Sequence, residues 1–372
     1  MLLTLVFNVS LKGQDTLTVT KTTDPDQFLY RYNYVDTLCA SAMLGTLQWA
    51  IRKANDSPDS SVIVINIPGL GPHVIYLNYY LPALTKPITI DGSTQPGYNY
   101  NNGPSIIIDG SYIPYNSACF NTSGSSERYV IKGLLIRNFY LSTGIYIWGP
   151  NSKLIDNVLQ NVGGNEAGYY RAMGVYIAAP RCIIQGNVFG TDITGTENYG
   201  SDAEAIYLQN QWLPADNCII GGSGVNEPNI ITNSGWAGIS IAQGKYNRIS
   251  RNRIYNNQGG ITLIIYAGPT WWGNEGKTAP VITSATANTV SGTSAPGDII
   301  EIFGSTGNEN ANEYIATTQT DVNGNWTAQA TTTYQNVIAT ATDDSNNTSA
   351  LSLKYEKECG NLCVFLNYTI SP

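Results

Sequence analysis

The sequence predicts an all-β chain built around a parallel β-helix, and three observations carry the prediction. A four-residue segment recurs through the middle of the 372 residues: GIYI (144–147), GVYI (174–177), AIYL (205–208), GISI (238–241) and GITL (260–263), with starts 30, 31, 33 and 22 residues apart. A second signal keeps step with it, since Asn157 and Asn187 each lie 13 residues beyond Gly144 and Gly174, and Asn252 lies 14 beyond Gly238. Glycine or asparagine stands at most corners, and few helix signals interrupt the run. Units this short cannot bury an apolar face alone, whereas stacked coils pair each strand with its equivalent one coil away, about 4.8 Å along the stack.

From the N-terminus, MLLTLVFNVS followed by the polar LKGQDT reads as part of a secretory signal over residues 1–15, with an N-terminal strand as the competing reading. In GTLQWAIRKAND (45–56), Leu47, Ala50, Ile51 and Ala54 fall at helical spacing. A short amphipathic helix there would cover the open end of the stack and its unpaired strand edge. VIVINI, HVIYL, PITIDGS and SIIIDGS then begin the coils. Within the repeat, period-two alternation turns Ile145, Ile147, Val175, Ile177 and their successors through Leu263 inward. Tyr146, Tyr176 and Tyr207 then point outward in one column that continues through Ser240 and Thr262, with Trp148 one outward position further along. Asn157, Asn187 and Asn252 read as a structural ladder of amides satisfying polar groups at the bends.

The run DTLCASAMLGTLQWAIRKAND through IVINIPGLGPHVIYLNYYLPALTKPITIDGSTQPGY resembles the secreted bacterial right-handed β-helix proteins named for their CSLREA motif. The resemblance continues through GLLIRNF, NVFGTDITGT, CIIGGSGVNEPNIITNSGWAGISI and NRISRNRIYNNQGGITL, and covers roughly residues 16–352. Gln48 stands where that family usually has arginine. It implies a capped right-handed β-helix over 16–270, export to the cell surface or medium, and an Ig-like module behind the helix. The residues agree with the last point. After Thr270 the period stops, WWGNEGKTAP reads as a linker over 271–279, and alternating segments such as DIIEIFGS, NWTAQAT and NVIATATD predict a small antiparallel sandwich over 280–352. The tail, 353–372, carries no structural signal.

Composition narrows the partners. Nineteen Lys and Arg against 27 Asp and Glu leave a net charge of -8, which repels a phosphate backbone, so nucleic acid is excluded as a partner. No run reaches the roughly 18 apolar residues of a transmembrane helix. Six cysteines without a CxxC pair, and a single histidine, His73, argue against zinc. CGNLC could close a local Cys359–Cys363 loop, and Cys182 and Cys218 are expected to stack, as two thiols or as an inter-coil disulfide, in a column with Lys153 and Arg248.

Two surface features could carry function. The outward tyrosines form a strip suited to sugar rings, so Tyr146, Trp148, Tyr176 and Tyr207 are the candidate ligand-binding residues for a polysaccharide or surface glycan. The acidic stretch GTDITGTENYGSDAE places Asp192, Glu197, Asp202 and Glu204 within thirteen residues. With Arg171 and Glu166 on the same flank, it could serve a polysaccharide lyase or glycosidase: Arg171, Asp192, Asp202 and Glu204 as catalytic groups, and Asp192, Glu197 and Asp202 as a calcium site. The competing reading is a solvated coil-to-coil connection, and it is the one the repeat favours. The function read from the sequence is therefore an exported β-helix used for adhesion or glycan binding without catalysis or cofactor, with the lyase or glycosidase and a plain spacer as alternatives. The oligomeric state is left open.

Overall fold

The computed structural model describes residues 14–25, 42–124, 126–166, 170–209, 214–264 and 272–358. The chain winds as a parallel β-helix whose coils contribute to three sheets. The first sheet runs from Asp15–Val19 through Ser61–Ile65 and Ile88–Asp91 to Arg248–Ser250; the second begins at His73–Tyr76 and ends at Arg253–Tyr255; the third runs from Ala118–Asn121 to Gly259–Leu263. Pairing between coils is parallel and in register, as between Val175 and both Ile145 and Ile206. Ile145, Val175, Ile206 and Ile239 are wholly buried in one continuous core. Leu263, on the last coil of the described residues, is only partly covered.

The helix spans Leu47–Asp56, and Thr46 caps it by accepting from the Trp49 N–H at 3.1 Å. Its apolar face, Leu47, Ala50, Ile51 and Ala54, is buried against the strands Asp15–Val19 and Ser61–Ile65. Strand Asp15–Val19 pairs in parallel with Ser61–Ile65, so chain described from residue 14 onward already belongs to the stack. Residues 1–13, which hold most of the expected signal segment, lie outside the described residues, as do Cys39, Cys359 and Cys363.

The turn from the first sheet to the second is tight and repeats. Gly133, Asp156, Gly186 and Arg251 occupy it with φ between 56° and 67°, the left-handed region that glycine enters without strain. Asparagine follows three of these turns, and here the ladder forms. Asn157 Nδ2 donates to Asn187 Oδ1 at 3.0 Å, Asn187 Nδ2 to Asn229 Oδ1 at 3.1 Å, and Asn229 Nδ2 to Asn252 Oδ1 at 2.8 Å. Each carbonyl oxygen also accepts the backbone N–H of the residue before it in the ladder. The expected Asn157, Asn187 and Asn252 thus stand in one buried column, with Asn229 as a rung the repeat spacing hid. Extra residues on both sides of the strand Ile219–Gly221 place that rung 24 residues beyond Ala205, where the regular offset is 13.

The cysteine column is corrected by one residue. Lys153 pairs with Ile183, Ile183 with Ile219, and Ile219 with Arg248, so Cys182 and Cys218 belong to the neighbouring inward position. Both are buried free thiols, and both sulfurs approach the Ala179 carbonyl. Burial beside Cys182 pushes the Cys218 thiol well above its ordinary value.

Two antiparallel sheets follow. One holds Val281–Ala285, Thr289–Thr293 and Asn325–Gln329; the other holds Glu313–Gln319, Ile299–Ser305, Asn336–Thr342 and Tyr355–Glu356. They enclose their own core around Trp326, Ile300, Ile302 and Val337. The sandwich is docked on the last coil. Ile254 and Ala311 exchange backbone hydrogen bonds at 2.8 and 2.7 Å, the Ile249 N–H donates to Thr348 Oγ1, and buried Glu301 accepts from the Ser250 hydroxyl and the Arg251 N–H. Phe303, Ala311, Ile338 and Leu351 join the core of the β-helix itself. Within the expected linker, Asn274, buried in the turn Gly273–Gly276, accepts from the Asn247 N–H and donates to the Asn247 and Thr348 carbonyls. The stretch binds coil to sandwich because its amide replaces the rung a next coil would have supplied.

Candidate functional site

Register places Tyr146, Tyr176 and Tyr207 in one outward column of the third sheet, followed by Ser240 and Thr262 and preceded by Asn121. The strip is nevertheless not flat. Tyr146 and Tyr176 lie 4.4 Å apart between centroids with planes 25° apart, too close for rings lying side by side, so they stack face to face. Tyr207 is corrected most strongly. It is 3% exposed, packs with Met173 and Ala242, and donates its hydroxyl to Gln209 Oε1 at 2.8 Å. A sugar has no access to it.

The ring distances locate the aromatic face that is left. Trp148 lies 5.2 Å from Tyr146 at 8°, yet only 6.4 Å from Tyr176. Rings pressed on opposite faces of a third would stand about 7 Å apart, given contact distances of about 3.5 Å between carbons. Trp148 and Tyr176 therefore share one side of Tyr146. Tyr176 belongs to the following coil, so the other face of Tyr146 is turned toward the preceding coil, that of Asn121.

A cleft of about 280 Å³ opens there, lined by Asn116, Ser117, Ala118, Asn121, Leu141, Thr143, Tyr146 and Ala172. The backbone holds its walls rigidly, for the Asn116 N–H donates to the Leu141 carbonyl and the Thr143 N–H to the Ser117 carbonyl, both at 2.8 Å. The Ser117 hydroxyl is engaged by Pro114 and Ser142. The side chains of Asn116, Asn121 and Thr143 make no hydrogen bond among the described residues. The cleft thus offers amides and a hydroxyl beside a face of Tyr146 that no ring among the described residues covers. Burial raises the Tyr146 phenol, a shift its hydrogen bond with Tyr176 only partly offsets, so the phenol stays neutral at ordinary pH.

Among the described side chains, the acidic stretch does not converge into one cluster. Asp192 closes its own turn, accepting from the Thr194 hydroxyl at 2.7 Å and the Thr196 N–H at 3.1 Å. Its slight burial would raise the carboxyl, but the bonds from Thr194, Thr196, Glu197 and Thr191 outweigh this and hold it below the usual carboxylate range. That is the wrong direction for a general acid. Glu197 and Asp202 are exposed, whereas Glu204 is fully buried beside the Ser240 hydroxyl at 3.4 Å. Asp202 and Glu204 both precede the third-sheet strand Ile206–Leu208, so their difference in cover comes from the packing around the connection and not from strand alternation. Among the described residues no three His, Cys, Asp or Glu side chains converge as a metal site requires. Arg171 sits in the backbone of strand Tyr170–Ala172, paired with Val158–Glu166, but its side chain and that of Glu166 lie outside the described residues. His73 is buried in its strand.

The cleft residues escaped the sequence reading because the coil bearing them lacks the glycine-led segment. A signal existed, since Phe120 and Asn121 stand 25 residues before Ile145 and Tyr146 with the same in-out alternation.

No family model matches the chain, and no curated protein does. Among solved structures, the chain is similar to the enzymatically active domain of bacteriophage CBA120 tailspike protein 2, at 11% identity over 94% of this chain and 77% of that one, with a TM-score of 0.25. Full-length tailspike protein 2 from an Escherichia coli O157:H7 bacteriophage is similar at 10% identity over 94% and 69%, with a TM-score of 0.19. Likeness at this level carries no argument, and the fold is read from the chain's own parallel sheets. Fold and site together define a capped parallel β-helix with a small polar cleft at one end of an aromatic stack. Among the described residues no helix is long and apolar enough to cross a membrane.

Proposed function

We propose that the protein is an exported surface or extracellular β-helix that binds glycan without turning it over and without a cofactor. The single observation behind this is the free face of Tyr146 beside the unengaged Asn116, Asn121 and Thr143 side chains, an arrangement that suits the apolar face and the hydroxyls of one sugar. Adhesion, kinship with the CSLREA-type proteins and the Ig-like character of the sandwich belong to the same reading. So does the division into a β-helix over 16–270 and a sandwich over 280–352. Of the residues singled out from sequence, Tyr146 contacts ligand, Trp148 and Tyr176 support its ring, and Tyr207 is structural. A lyase or glycosidase on the flank of Arg171 and Asp192 gains no support from Asp192, whose carboxyl is held ionised by its own turn.

The test is a polysaccharide panel scored for both binding and cleavage. Truncating an aromatic anchor costs about 2 kcal/mol, so Tyr146→Ala should weaken binding roughly thirtyfold, and chelating calcium should change nothing. Unaltered binding in Tyr146→Ala removes the cleft from consideration. Release of sugar ends that disappears in Asp192→Asn establishes the enzyme instead.

A further inference from the structure

We infer that the cleft takes one sugar ring and that this ring is uncharged, so that the protein selects neutral glycans and rejects uronate-bearing ones. The inference rests on the glycan reading above and narrows it. Size comes first. At about 280 Å³ the cleft falls at the small end of ligand sites, which run from about 300 to 1,000 Å³, so a ring fits and a chain segment does not. Its single open aromatic face agrees, because the next rings along the column are covered by Tyr146 itself and, at Tyr207, by Met173 and Ala242.

Charge comes second. Asn116, Asn121, Thr143 and Tyr146 supply amide and hydroxyl groups, and none of the described residues lining the cleft carries a charge. A uronate carboxylate entering would leave water without a cation among the described lining residues to meet it, which is costly unless the charge is paired. The net charge of -8 adds a repulsive field around the molecule. Hydroxyls meet no such penalty, because each can donate to an Asn oxygen or accept from an Asn amide.

The experiment compares neutral polysaccharides, such as a dextran and a mannan, with polyuronates of matched length, each at low and high salt, and adds free neutral monosaccharides as competitors. Binding of a neutral polymer that is unchanged by salt, displaced by a monosaccharide and at least tenfold tighter than any polyuronate is the expected result. Asn121 is exposed and makes no hydrogen bond among the described residues, so Asn121→Lys should fold normally and gain at least tenfold in polyuronate binding that falls with salt. Equal or tighter binding of polyuronates by the unaltered protein overturns the neutral class and leaves the glycan reading standing. Absence of binding to every polymer overturns both. Failure of monosaccharides to compete overturns the single-ring site.

Discussion

Replacing Asn229 by alanine tests whether the amide ladder holds the coils together. Asn229 Oδ1 accepts from the Asn187 N–H at 2.8 Å and from Asn187 Nδ2 at 3.1 Å, while its own Nδ2 donates to the Ile184 carbonyl and to Asn252 Oδ1, each at 2.8 Å. Asn187 Nδ2 keeps Leu154 and Gln185 after truncation, but the Asn187 N–H loses its acceptor in a site where Asn187 is 1% exposed. An orphaned buried donor costs about 1–3 kcal/mol and each further lost hydrogen bond about 1 kcal/mol, so Asn229→Ala should lose about 3 kcal/mol. Most of that is felt, since domains are stable by only about 5–15 kcal/mol. Urea unfolding followed by far-UV circular dichroism measures it, with Asn121→Ala as the exposed reference expected to change stability by less than about 0.5 kcal/mol. Asn229→Asp sharpens the point: its carboxylate still accepts from Asn187 but can no longer donate, so its loss at pH 7 should exceed that of alanine and shrink as pH falls. A loss below about 1 kcal/mol for Asn229→Ala, or one no larger than the reference, would refute the ladder as a source of stability.

Asp24 and Gln48 test the N-terminal end. Burial raises the Asp24 carboxyl to about 6, an effect that bonds from the Asn78 and Tyr79 backbone only partly offset. The folded state therefore holds the proton more tightly than the unfolded chain, and the stability this contributes is complete below pH 4 and lost as pH rises through about 6. Asp24→Asn should erase that slope and gain up to about 3 kcal/mol at pH 7, read from unfolding midpoints between pH 4 and 7; an unchanged slope would sink the argument. Gln48 is 1% exposed with both amide atoms unpartnered among the described residues, so Gln48→Met should raise the thermal midpoint by about 1–2 °C, about 1 kcal/mol, and a lowered midpoint would show that the amide is used.

The periodic parts of this protein were legible in its sequence because each coil must repeat the same inward pattern to keep one core. Ile145, Val175, Ile206 and Ile239 could be aligned by eye, and with them the tyrosine column and three of the four ladder asparagines. Legibility stopped where the chain left the period. Asn229 is displaced by a detour, Asn121 sits on a coil without the leading glycine, and Asn274 looks like part of a linker until the Asn247 N–H is found to need an acceptor. The docked sandwich was foreseen as a separate module, but its closure of the last coil depends on Glu301, Ala311 and Thr348, fifty to a hundred residues from the strand they cover.

Sequence by itself determined the stack, the register of the third sheet and which side of its strands faces in, since those follow from alternation and repeat length. Which outward groups remain available was decided only in three dimensions. Side-chain alternation says that Tyr146 and Tyr207 both point out. It does not say that Met173 and Ala242 bury one while a cleft opens on the other, because cover depends on what neighbouring coils place above the sheet.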